Sequence, residues 1–438
     1  MQSTFNEYLY EITHTAHKVK MKLSKFGEKF TQRSGITSLM EDLSHGLTSG
    51  ESIMMMGGGN PSHIPEVQSI FRERLTKIIN NPDDFKNLIG IYDSPKGDPV
   101  FISALANLLK QRCGWPISQK NIAIVNGSQS AFFILFNMFA GACSDGTEKK
   151  ILFPLCPEYI GYSDIGLSKN FFTANKPLLE YCDENQFKYH IDFNRLKVDD
   201  HIGAMCLSRP TNPSGNVVTD QEIEQLQRLA KQNAIPLIID SAYGTPFPDI
   251  IFVPATPTWD SNTIVSMSLS KLGLPTARTG IIIAAEEIIE IITEANAVLS
   301  LSTGSFGTML AQDIVETGQI IELSQTIIKP YYYDKAKKAL AFVKKSFATI
   351  PYKLHKPEGA MFLWFWFEGL PISSQELYER LKARGVYVIA GHHFFPGLNE
   401  AWQHAKECIR VTYTQDEAVI EGGLAIIAEE VRRAFEEG

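Results

Sequence analysis

The stretch "TIVSMSLSKLGLPTARTGIIIA", residues 263–284, joins two apolar runs through a loop that carries one lysine and one arginine. Each run is long enough for a strand and apolar enough to be buried on both faces, which is typical of parallel sheets covered by helices. Lys271 follows the first run directly. A lysine at the end of a buried strand is costly unless it is paired, desolvated or used covalently. The loop therefore predicts either an ion pair or a reactive amine.

Apolar runs of the same kind recur through the middle of the chain. Together with the two just quoted, the predicted strands are 121–125, 150–154, 203–208, 235–240, 263–269 and 279–284. Amphipathic segments separate several of them, for example residues 219–234, where Thr219 and Glu222 form the pattern of a helix capping box. Alternating strands and helices predict an α/β fold with a doubly wound, mostly parallel central sheet.

The pattern changes after about residue 320. A long helical stretch interrupted by Pro330 is followed by the apolar segment "GAMFLWFWF" and by two further helical segments, which together predict a smaller α+β domain. The chain length also favours two domains over one. The predicted organisation is an N-terminal extension at 1–22, an arm packing with the small domain at 23–70, a large domain at 71–320 and the small domain at 321–438.

The composition limits the classes of binding partner and the cellular compartment that we expect. The 438 residues carry 41 Lys and Arg against 49 Asp and Glu, a net charge of −8. This balance argues against a nucleic-acid or anionic membrane surface, while small anionic substrates are still compatible with it. The six cysteines show no CxxC or metal-finger spacing, and the first twenty residues lack an apolar run. We therefore expect reduced thiols, no bound metal and a cytoplasmic location.

Polar and aromatic groups follow the predicted strands at the points where the strands end. They are "NGSQS" after residue 125, "LCPEYIGY" after 154, "RPTNPSGN" after 208, Asp240 at the end of its own strand, and Lys271. In open α/β sheets, ligands bind beyond the carboxyl ends of the strands. These groups therefore predict one site at one edge of the sheet.

The lysine and the acid each allow two interpretations. In a dry site the neutral amine of Lys271 would be a nucleophile and a proton shuttle; alternatively, the side chain reaches a surface ion pair. Asp240 would hold a protonated ring nitrogen through a charge-assisted hydrogen bond, or it would cap a following helix. Tyr243 is either a phenol donor for the same ligand or a half-buried core residue.

The other candidates suit the anionic parts and the faces of a ligand. Ser128 stands at a helix start whose free amides favour a phosphate, and Arg278 could clamp the same group or form a loop salt bridge. Arg410 lies mid-strand in "CIRVTY" and needs an anion, either an internal carboxylate or a substrate carboxylate. Asn212 and Tyr159 are also compatible with a plain turn and with core packing. A single ring that carries a phosphate accounts for the whole set.

Three motifs together resemble the fold-type-I pyridoxal-phosphate enzymes, and among them the class I/II aminotransferases. They are S-x-S-K ending at Lys271 with Arg278 and Gly280 behind it, N-P-x-G beginning at Asn212, and the strand-final Asp240 with a tyrosine three residues on. The resemblance implies the fold-type-I architecture, with pyridoxal 5'-phosphate as cofactor. The cofactor-binding residues that it implies are Tyr92, Ser128, Gln129, Tyr159, Asn212, Asp240, Tyr243, Ser268, Ser270, Lys271 and Arg278.

The resemblance also implies roles for the residues around the ring. Lys271 would form the Schiff base with the cofactor and carry the proton, and Asp240 would pair with the pyridine nitrogen. Asn212 and Tyr243 would hold the phenolic oxygen, with Asn212 also near the substrate, and Tyr159 would stack on the ring. The implied catalytic residues are Lys271, Asp240 and Tyr243.

Substrate recognition and assembly follow from the same resemblance. Arg410 matches the arginine of the family that binds the substrate carboxylate, and Tyr92 matches the tyrosine that reaches the partner's phosphate in a homodimer. The segments expected to wall the pocket, around Ile36, Gly58 and Phe362, are small or apolar. Phrases such as "SRPTNPSGNV" and "GHHFFPGL" are similar to a branch of the family that exchanges amino groups between valine and pyruvate. The expected activity is transamination between a small aliphatic amino acid and pyruvate.

Two alternatives stay open at this stage. The chain could use another amino donor within the same family, or it could be a pyridoxal-phosphate-dependent lyase, which shares nearly all the residues named above. A ligand-sensing regulator would need a DNA-binding domain, for which the short, non-basic stretch before residue 22 leaves no room.

Overall fold

The computed structural model describes part of the N-terminal region and nearly all of the remaining chain. The described residues are 22–31, 37, 41 and 53–438. Ile36 and residues 1–21, which make up nearly all of the expected N-terminal extension, lie outside them. The chain divides into two units, Met1–Ser34 and Gly35–Gly438. In the first unit the structure has helix α1 (Lys25–Lys29).

Strands and helices alternate through the second unit. The strands are β1 (Met54–Met55), β2 (Ile122–Val125), β3 (Gly141–Ala142), β4 (Glu148–Phe153), β5 (Phe172–Ala174), β6 (Leu178–Tyr181), β7 (Gln186–His190), β8 (Ile202–Ser208), β9 (Leu237–Asp240), β10 (Thr263–Ser268), β11 (Gly280–Ile283), β12 (Lys353–His355), β13 (Phe362–Trp366), β14 (Val386–Tyr387), β15 (Ile389–Ala390) and β16 (Cys408–Thr412). The helices are α2 (Pro65–Asn80), α3 (Pro82–Gly90), α4 (Pro99–Cys113), α5 (Ser128–Phe139), α6 (Asp220–Gln232), α7 (Glu286–Ser300), α8 (Phe306–Glu316), α9 (Gln319–Leu323), α10 (Lys329–Ser346), α11 (Ser374–Ala383), α12 (His404–Glu407) and α13 (Glu417–Glu437). Within the described residues, no helix combines the length and apolar character needed to span a bilayer.

The large sheet has the order β2–β11–β10–β9–β8–β4–β3, with β5 paired to β4. Neighbours from β10 through β9, β8 and β4 to β5 run parallel, whereas β11 runs antiparallel to both of its neighbours. Every residue of β2, β9, β10 and β11 is buried, as expected for a sheet covered on both faces. All six strands predicted from the sequence are present. The expected α/β class with a mostly parallel sheet is confirmed.

The register of the parallel strands sets the edge at which the site forms. Asp240, the last residue of β9, lies opposite Ser208 at the end of β8 and opposite Ser266 of β10. The chain then leaves β10 through Lys271 and returns as β11, whose first residue, Gly280, pairs with Ser268 and with Val125. The strand ends are therefore level, and the loops that follow them share one side of the sheet.

A second sheet has the order β15–β16–β13–β12–β7–β6. It combines the hairpin β6–β7 with strands that come after residue 352, and β7 runs parallel to β12. Within this sheet β16 runs antiparallel to β13, so that Arg410 lies opposite Trp364. Strand β1 pairs in parallel with β14, which attaches the segment just before Gly57 to the C-terminal part of the chain.

Two local predictions about helices are confirmed. Helix α6 begins at the capping box of Thr219 and Glu222, in which each side chain accepts from the backbone amide of the other residue. The long helical stretch is interrupted near Pro330, because a π-helical turn at Ser324–Ile328 precedes α10. Pro330 is the second residue of α10, directly after this turn, and its missing amide hydrogen is consistent with the change in helical hydrogen bonding there.

Candidate active site

Lys271 lies in a 3-10 turn, Ser270–Leu272, directly after β10. Its Nζ donates to the Gly59 carbonyl at 2.5 Å and lies 5.3 Å from the ring centre of Tyr243. The pKa of Lys271 is lowered to about 8, chiefly by burial and also by the charges of Arg410 and Arg278, while Asp240 opposes them. A much larger fraction of this amine is therefore neutral near pH 7 than of a surface lysine.

Asp240 ends β9 and is buried. Its Oδ2 accepts from the Tyr162 hydroxyl at 2.6 Å, and its Oδ1 accepts from the Ala242 amide at 2.9 Å. Burial raises the pKa of Asp240, while these two hydrogen bonds and the charge of Lys271 act against the rise. The segment that follows, residues 241–250, forms turns rather than a helix, so the helix-cap interpretation of Asp240 does not apply.

Arg410 is a buried cation, only 2% exposed, in the middle of β16. Its Nη1 donates to Asn212 Oδ1 at 2.6 Å and its Nη2 to the Gly57 carbonyl at 2.6 Å. The guanidinium carbon lies 4.1 Å from the ring centre of Phe362. Burial lowers the pKa of Arg410 to about 10, and its Nε is buried without a hydrogen-bond partner. Among the described residues it contacts these neutral acceptors and no internal carboxylate, so it has room for the carboxylate of a ligand.

The N-terminus of α5 and Arg278 form an anion-binding corner. Helix α5 begins at Gly127 without a side-chain cap, so its first amides have no partner from a capping side chain. Gly127 has φ of +82°, and a Cβ there would lie 2.1 Å from a guanidinium nitrogen of Arg278. Only glycine lets the guanidinium lie against the helix start. Free amides beside a guanidinium suit a phosphate group.

The remaining predicted residues line the same edge of the sheet. Ser128 Oγ lies 3.5 Å from the Met267 carbonyl, and Ser268 Oγ accepts from the Ser270 amide at 3.0 Å. Gln129 donates to the Gly161 carbonyl at 2.8 Å, in the turn that also carries Tyr159. The strand ends of the large sheet thus bring together Ser128, Gln129, Tyr159, Asn212, Asp240, Tyr243, Ser268, Ser270, Lys271 and Arg278. Arg410 joins them from the second sheet through its hydrogen bond to Asn212.

Three predicted residues differ from this group. Tyr92 is 81% exposed and takes no part in the site of its own chain. Gly58 is buried between the two glycines whose carbonyls accept from Arg410 and Lys271. Ile36 is not among the described residues.

Several groups at the site, or directly behind it, were not predicted from the sequence. These are the carbonyls of Gly57 and Gly59, the hydroxyl of Tyr162 and the carboxyl of Glu158. Tyr162 and Glu158 stand in the same phrase, "PEYIGY", as the predicted Tyr159. The cluster of polar groups in that phrase was the available signal, but only the fold shows which of them point toward Asp240.

Comparison with known proteins agrees with this geometry. A model of the family "Aminotransferase class I and II" matches residues 80–427. A valine–pyruvate aminotransferase of Escherichia coli K12 is 49% identical over 417 residues, which cover 95% of this chain and 100% of that protein. The solved structure of a putative amino-acid aminotransferase from Psychrobacter arcticum 273-4 is similar at a TM-score of 0.93, with 44% identity over 95% of this chain and 100% of that one.

A valine–pyruvate aminotransferase of known structure, from Salmonella typhimurium LT2, is also similar. Its TM-score is 0.85, with 47% identity over 92% of this chain and 100% of that one. The family match spans most of the chain, and these relatives are covered along their whole length. The predicted resemblance is confirmed, and this chain belongs to the class I and II aminotransferases.

Proposed function

We propose that this enzyme is a pyridoxal-phosphate-dependent transaminase that moves an amino group between valine, or a similar small aliphatic amino acid, and pyruvate. The observation that carries the proposal is the placement of Lys271. Its amine, with a pKa lowered to about 8 by burial, lies within electrostatic reach of both Asp240 and Arg410. A proton acceptor and an anion for a ring nitrogen at the edge of the large sheet thus lie near a cation for a carboxylate from the second sheet.

The residues present fit pyridoxal 5'-phosphate. Because Gly127 has no Cβ, Arg278 can lie against the start of α5, where the phosphate would be held. Asp240 faces the site as a buried hydrogen-bond acceptor suited to a protonated ring nitrogen, with Asn212 and Tyr243 beside it. When bound, this cofactor supplies an electron sink that stabilises negative charge on the α carbon of an amino acid.

The protein's own residues would then divide the work. Part of the Lys271 population has a neutral Nζ. This Nζ would take the proton from the α carbon of the amino acid in one half-reaction and supply a proton to the α carbon of the product amino acid in the other. Asp240 would keep the ring nitrogen protonated by remaining an anion. Arg410 would bind the α-carboxylate, in place of the neutral acceptors that hold its guanidinium in this structure. The reaction would require Lys271, Asp240 and Arg410 together, and the fold holds all three around one site.

The substrate assignment is supported by the walls around Arg410. Phe362 stacks on the guanidinium, Phe394 lies 5.3 Å from it, and Tyr243 packs against Phe362. Valine and pyruvate both carry the carboxylate that Arg410 would bind, so one pocket can accept both in turn. Aspartate and glutamate would bury a second carboxylate beside aromatic rings, which is unfavourable without a partner. The valine–pyruvate aminotransferases among the similar proteins support the same choice.

A homodimer forms part of the proposal. Tyr92 is 81% exposed, and Val298, Leu299 and Leu301 are 86%, 59% and 66% exposed. Asn126 beside the anion-binding corner connects to this surface, because its side chain accepts from the Gly304 amide at 3.2 Å. Apolar side chains next to a site suit contact with a second copy, through which Tyr92 would reach the phosphate of the partner.

We also propose a cytoplasmic location. The structure has all six cysteines as free thiols. Unpaired thiols are usual in a reducing compartment.

The test is a panel of amino donors with pyruvate as acceptor, together with cofactor absorbance in half-reactions, which measure alanine because its exchange with pyruvate gives no net change. We expect valine, 2-aminobutyrate and alanine to overlap, because each methyl group is worth about 1–3 kcal/mol in an apolar pocket. We expect kcat/KM for valine to exceed that for glutamate at least about tenfold. A preference for glutamate would reject the substrate assignment. Release of ammonia without formation of the aminated cofactor would instead indicate a lyase.

A further inference from the structure

A second buried carboxyl group lies behind Asp240. Glu158 is fully buried at 0% exposure. Its Oε1 accepts from the Ser208 amide at 2.8 Å, and its Oε2 lies 2.6 Å from the Ser208 hydroxyl. In the part of the chain that the structure describes, no lysine, arginine or histidine pairs with Glu158. A buried carboxylate without a cation is unfavourable, so the position of its proton needs an explanation.

Two hydroxyl groups connect Glu158 with Asp240. The Ser208 hydroxyl lies 3.3 Å from the Tyr162 hydroxyl, and the Tyr162 hydroxyl lies 2.6 Å from Asp240 Oδ2. Ser208 and Asp240 are paired residues at the ends of β8 and β9, so the sheet fixes their separation. The Tyr162 ring is fully buried and packs against Phe132, its centre 4.8 Å away, which holds the hydroxyl in place.

A count of protons limits this chain of hydrogen bonds to two directions, with the added proton on Glu158 or on Asp240, and the surrounding charges choose between them. Each hydroxyl has one proton to donate. If both carboxyl groups were ionised, Ser208 and Tyr162 would each donate to the nearer carboxylate, and no proton would lie between the two hydroxyls. If Glu158 carries a proton, the bonds run in one direction, from Glu158 to Ser208, from Ser208 to Tyr162 and from Tyr162 to Asp240. One added proton then satisfies all three contacts.

We propose that Glu158 is a neutral carboxylic acid and a positioning residue, which directs the hydroxyls of Ser208 and Tyr162 so that Asp240 remains the anion. This inference rests on the proposed function, in which Asp240 holds the ring nitrogen of the cofactor. No proton leaves this chain of hydrogen bonds, and Glu158 does not touch the substrate. Its effect on the reaction passes through the hydrogen bond that Tyr162 donates to Asp240.

The electrostatics around the chain support this protonation state. The pKa of Glu158 is raised to about 8, chiefly by burial and also by the negative charge of Asp240, despite the hydrogen bonds that Glu158 accepts from Ser208 and from the Tyr159 amide. Burial also raises the pKa values of Tyr162 and Cys206 well above their usual range, so both neighbours stay neutral. Lys271 acts on Asp240 and favours its charged form. The anion therefore belongs on Asp240, the end of the chain that faces a cation.

The first test is infrared spectroscopy of the purified holoenzyme. We expect the carbonyl band of a buried protonated carboxyl group, which Glu158→Gln removes. Glu222→Gln is the matched control, because burial of Glu222 is outweighed by its hydrogen bonds and its pKa falls to about 2. That carboxyl is ionised and contributes no such band. A band that persists in Glu158→Gln, or that Glu222→Gln removes, overturns the proposal.

The second test separates charge from hydrogen bonding in the reaction. Glu158→Gln keeps a neutral donor to Ser208, so we expect kcat within about threefold of the parent enzyme. Tyr162→Phe removes the donor to the Asp240 anion, so we expect kcat to fall about 10- to 100-fold with a smaller change in KM. Equal losses in both variants would mean that Glu158 acts as a charge, which contradicts the proposal.

The two proposals fail separately. If the enzyme transaminates no donor in the panel, the proposed function is rejected whatever the infrared result. If transamination is present and Glu158→Gln leaves the carboxylic acid band unchanged, only the role of Glu158 is rejected.

Discussion

Two buried cations on the same sheet are used in opposite ways. Lys188 in β7 and Arg410 in β16 are 6% and 2% exposed. Lys188 forms an ion pair with the buried Glu358 and donates to the Val217 carbonyl at 3.0 Å. Arg410 donates to neutral oxygens among the described residues. A buried cation with its own carboxylate is neutralised within the fold, and removing one partner is destabilising, whereas a buried cation without a carboxylate can bind an anionic ligand.

The two cations hold opposite ends of one loop. Arg410 contacts Asn212 near the start of "RPTNPSGNV", and the pair of Lys188 and Glu358 contacts Val217 near its end, where Glu358 also accepts from the Val217 amide at 3.1 Å. The loop is therefore anchored on the side away from the site by a closed ion pair. On the side of the site it meets a cation that a substrate can still engage. Substitutions should separate these two roles.

The largest effect is expected for Lys271→Ala. General acid–base transfer contributes about 10²–10⁴-fold, and loss of the covalent link to the cofactor adds to it. We expect the visible absorbance of the linked cofactor and nearly all turnover to disappear, while the folded fraction by circular dichroism stays unchanged. If the variant keeps substantial transamination without an added amine, Lys271 has only a structural role, as Lys188 does.

Arg410→Met should lower activity more than stability. Loss of a buried charged partner for the substrate carboxylate is worth about 2–5 kcal/mol, or about 30- to 5,000-fold in kcat/KM. The free energy of unfolding should fall by less, because methionine removes a desolvated charge that has no internal carboxylate, and only the Asn212 and Gly57 oxygens lose a donor. Steady-state kinetics with valine and urea denaturation check the two parts. Unchanged kcat/KM would end the carboxylate assignment.

Lys188→Met should give the reverse result. It leaves Glu358 buried without its cation, so we expect the free energy of unfolding to fall by about 3–5 kcal/mol. The double variant Lys188→Met/Glu358→Leu should recover much of this loss, because no charge is then left unpaired. Urea denaturation of the parent and both variants is the measurement. If the double variant is as unstable as the single one, the cost lies in packing rather than in charge.

Lys356→Met is the matched control with the smallest effect. Lys356 also faces Glu358, at 3.9 Å, but its side chain is 46% exposed. Exposed ion pairs are worth about 0–1 kcal/mol, so the free energy of unfolding should fall by less than about 1 kcal/mol. The same denaturation experiment compares two lysines that share one glutamate. If Lys356→Met lowers the free energy of unfolding as much as Lys188→Met does, burial does not determine how much each lysine contributes.

The predictions that the sequence could support by itself rest on local patterns. Strands buried on both faces are continuous apolar runs, and the capping box at Thr219 is a spacing of three residues. Residues placed just after those runs fall on one edge, because parallel strands end at the same side of a sheet. Lys271 and Asp240 could be selected for that reason, and Arg278 as a cation suited to a phosphate. The family motif then gave Asn212 a role and named the cofactor.

Tertiary structure decided what depends on distant segments. The carbonyls of Gly57 and Gly59 reach Arg410 and Lys271 across more than 200 residues, and the β6–β7 hairpin joins strands that follow residue 352. Pairing between such segments is not encoded in any local period. The proposed protonation of Glu158 also depends on distant segments, because it requires burial and the two hydroxyls that connect Glu158 with Asp240. Sequence spacing selects the residue types, whereas packing sets their charge and their partners.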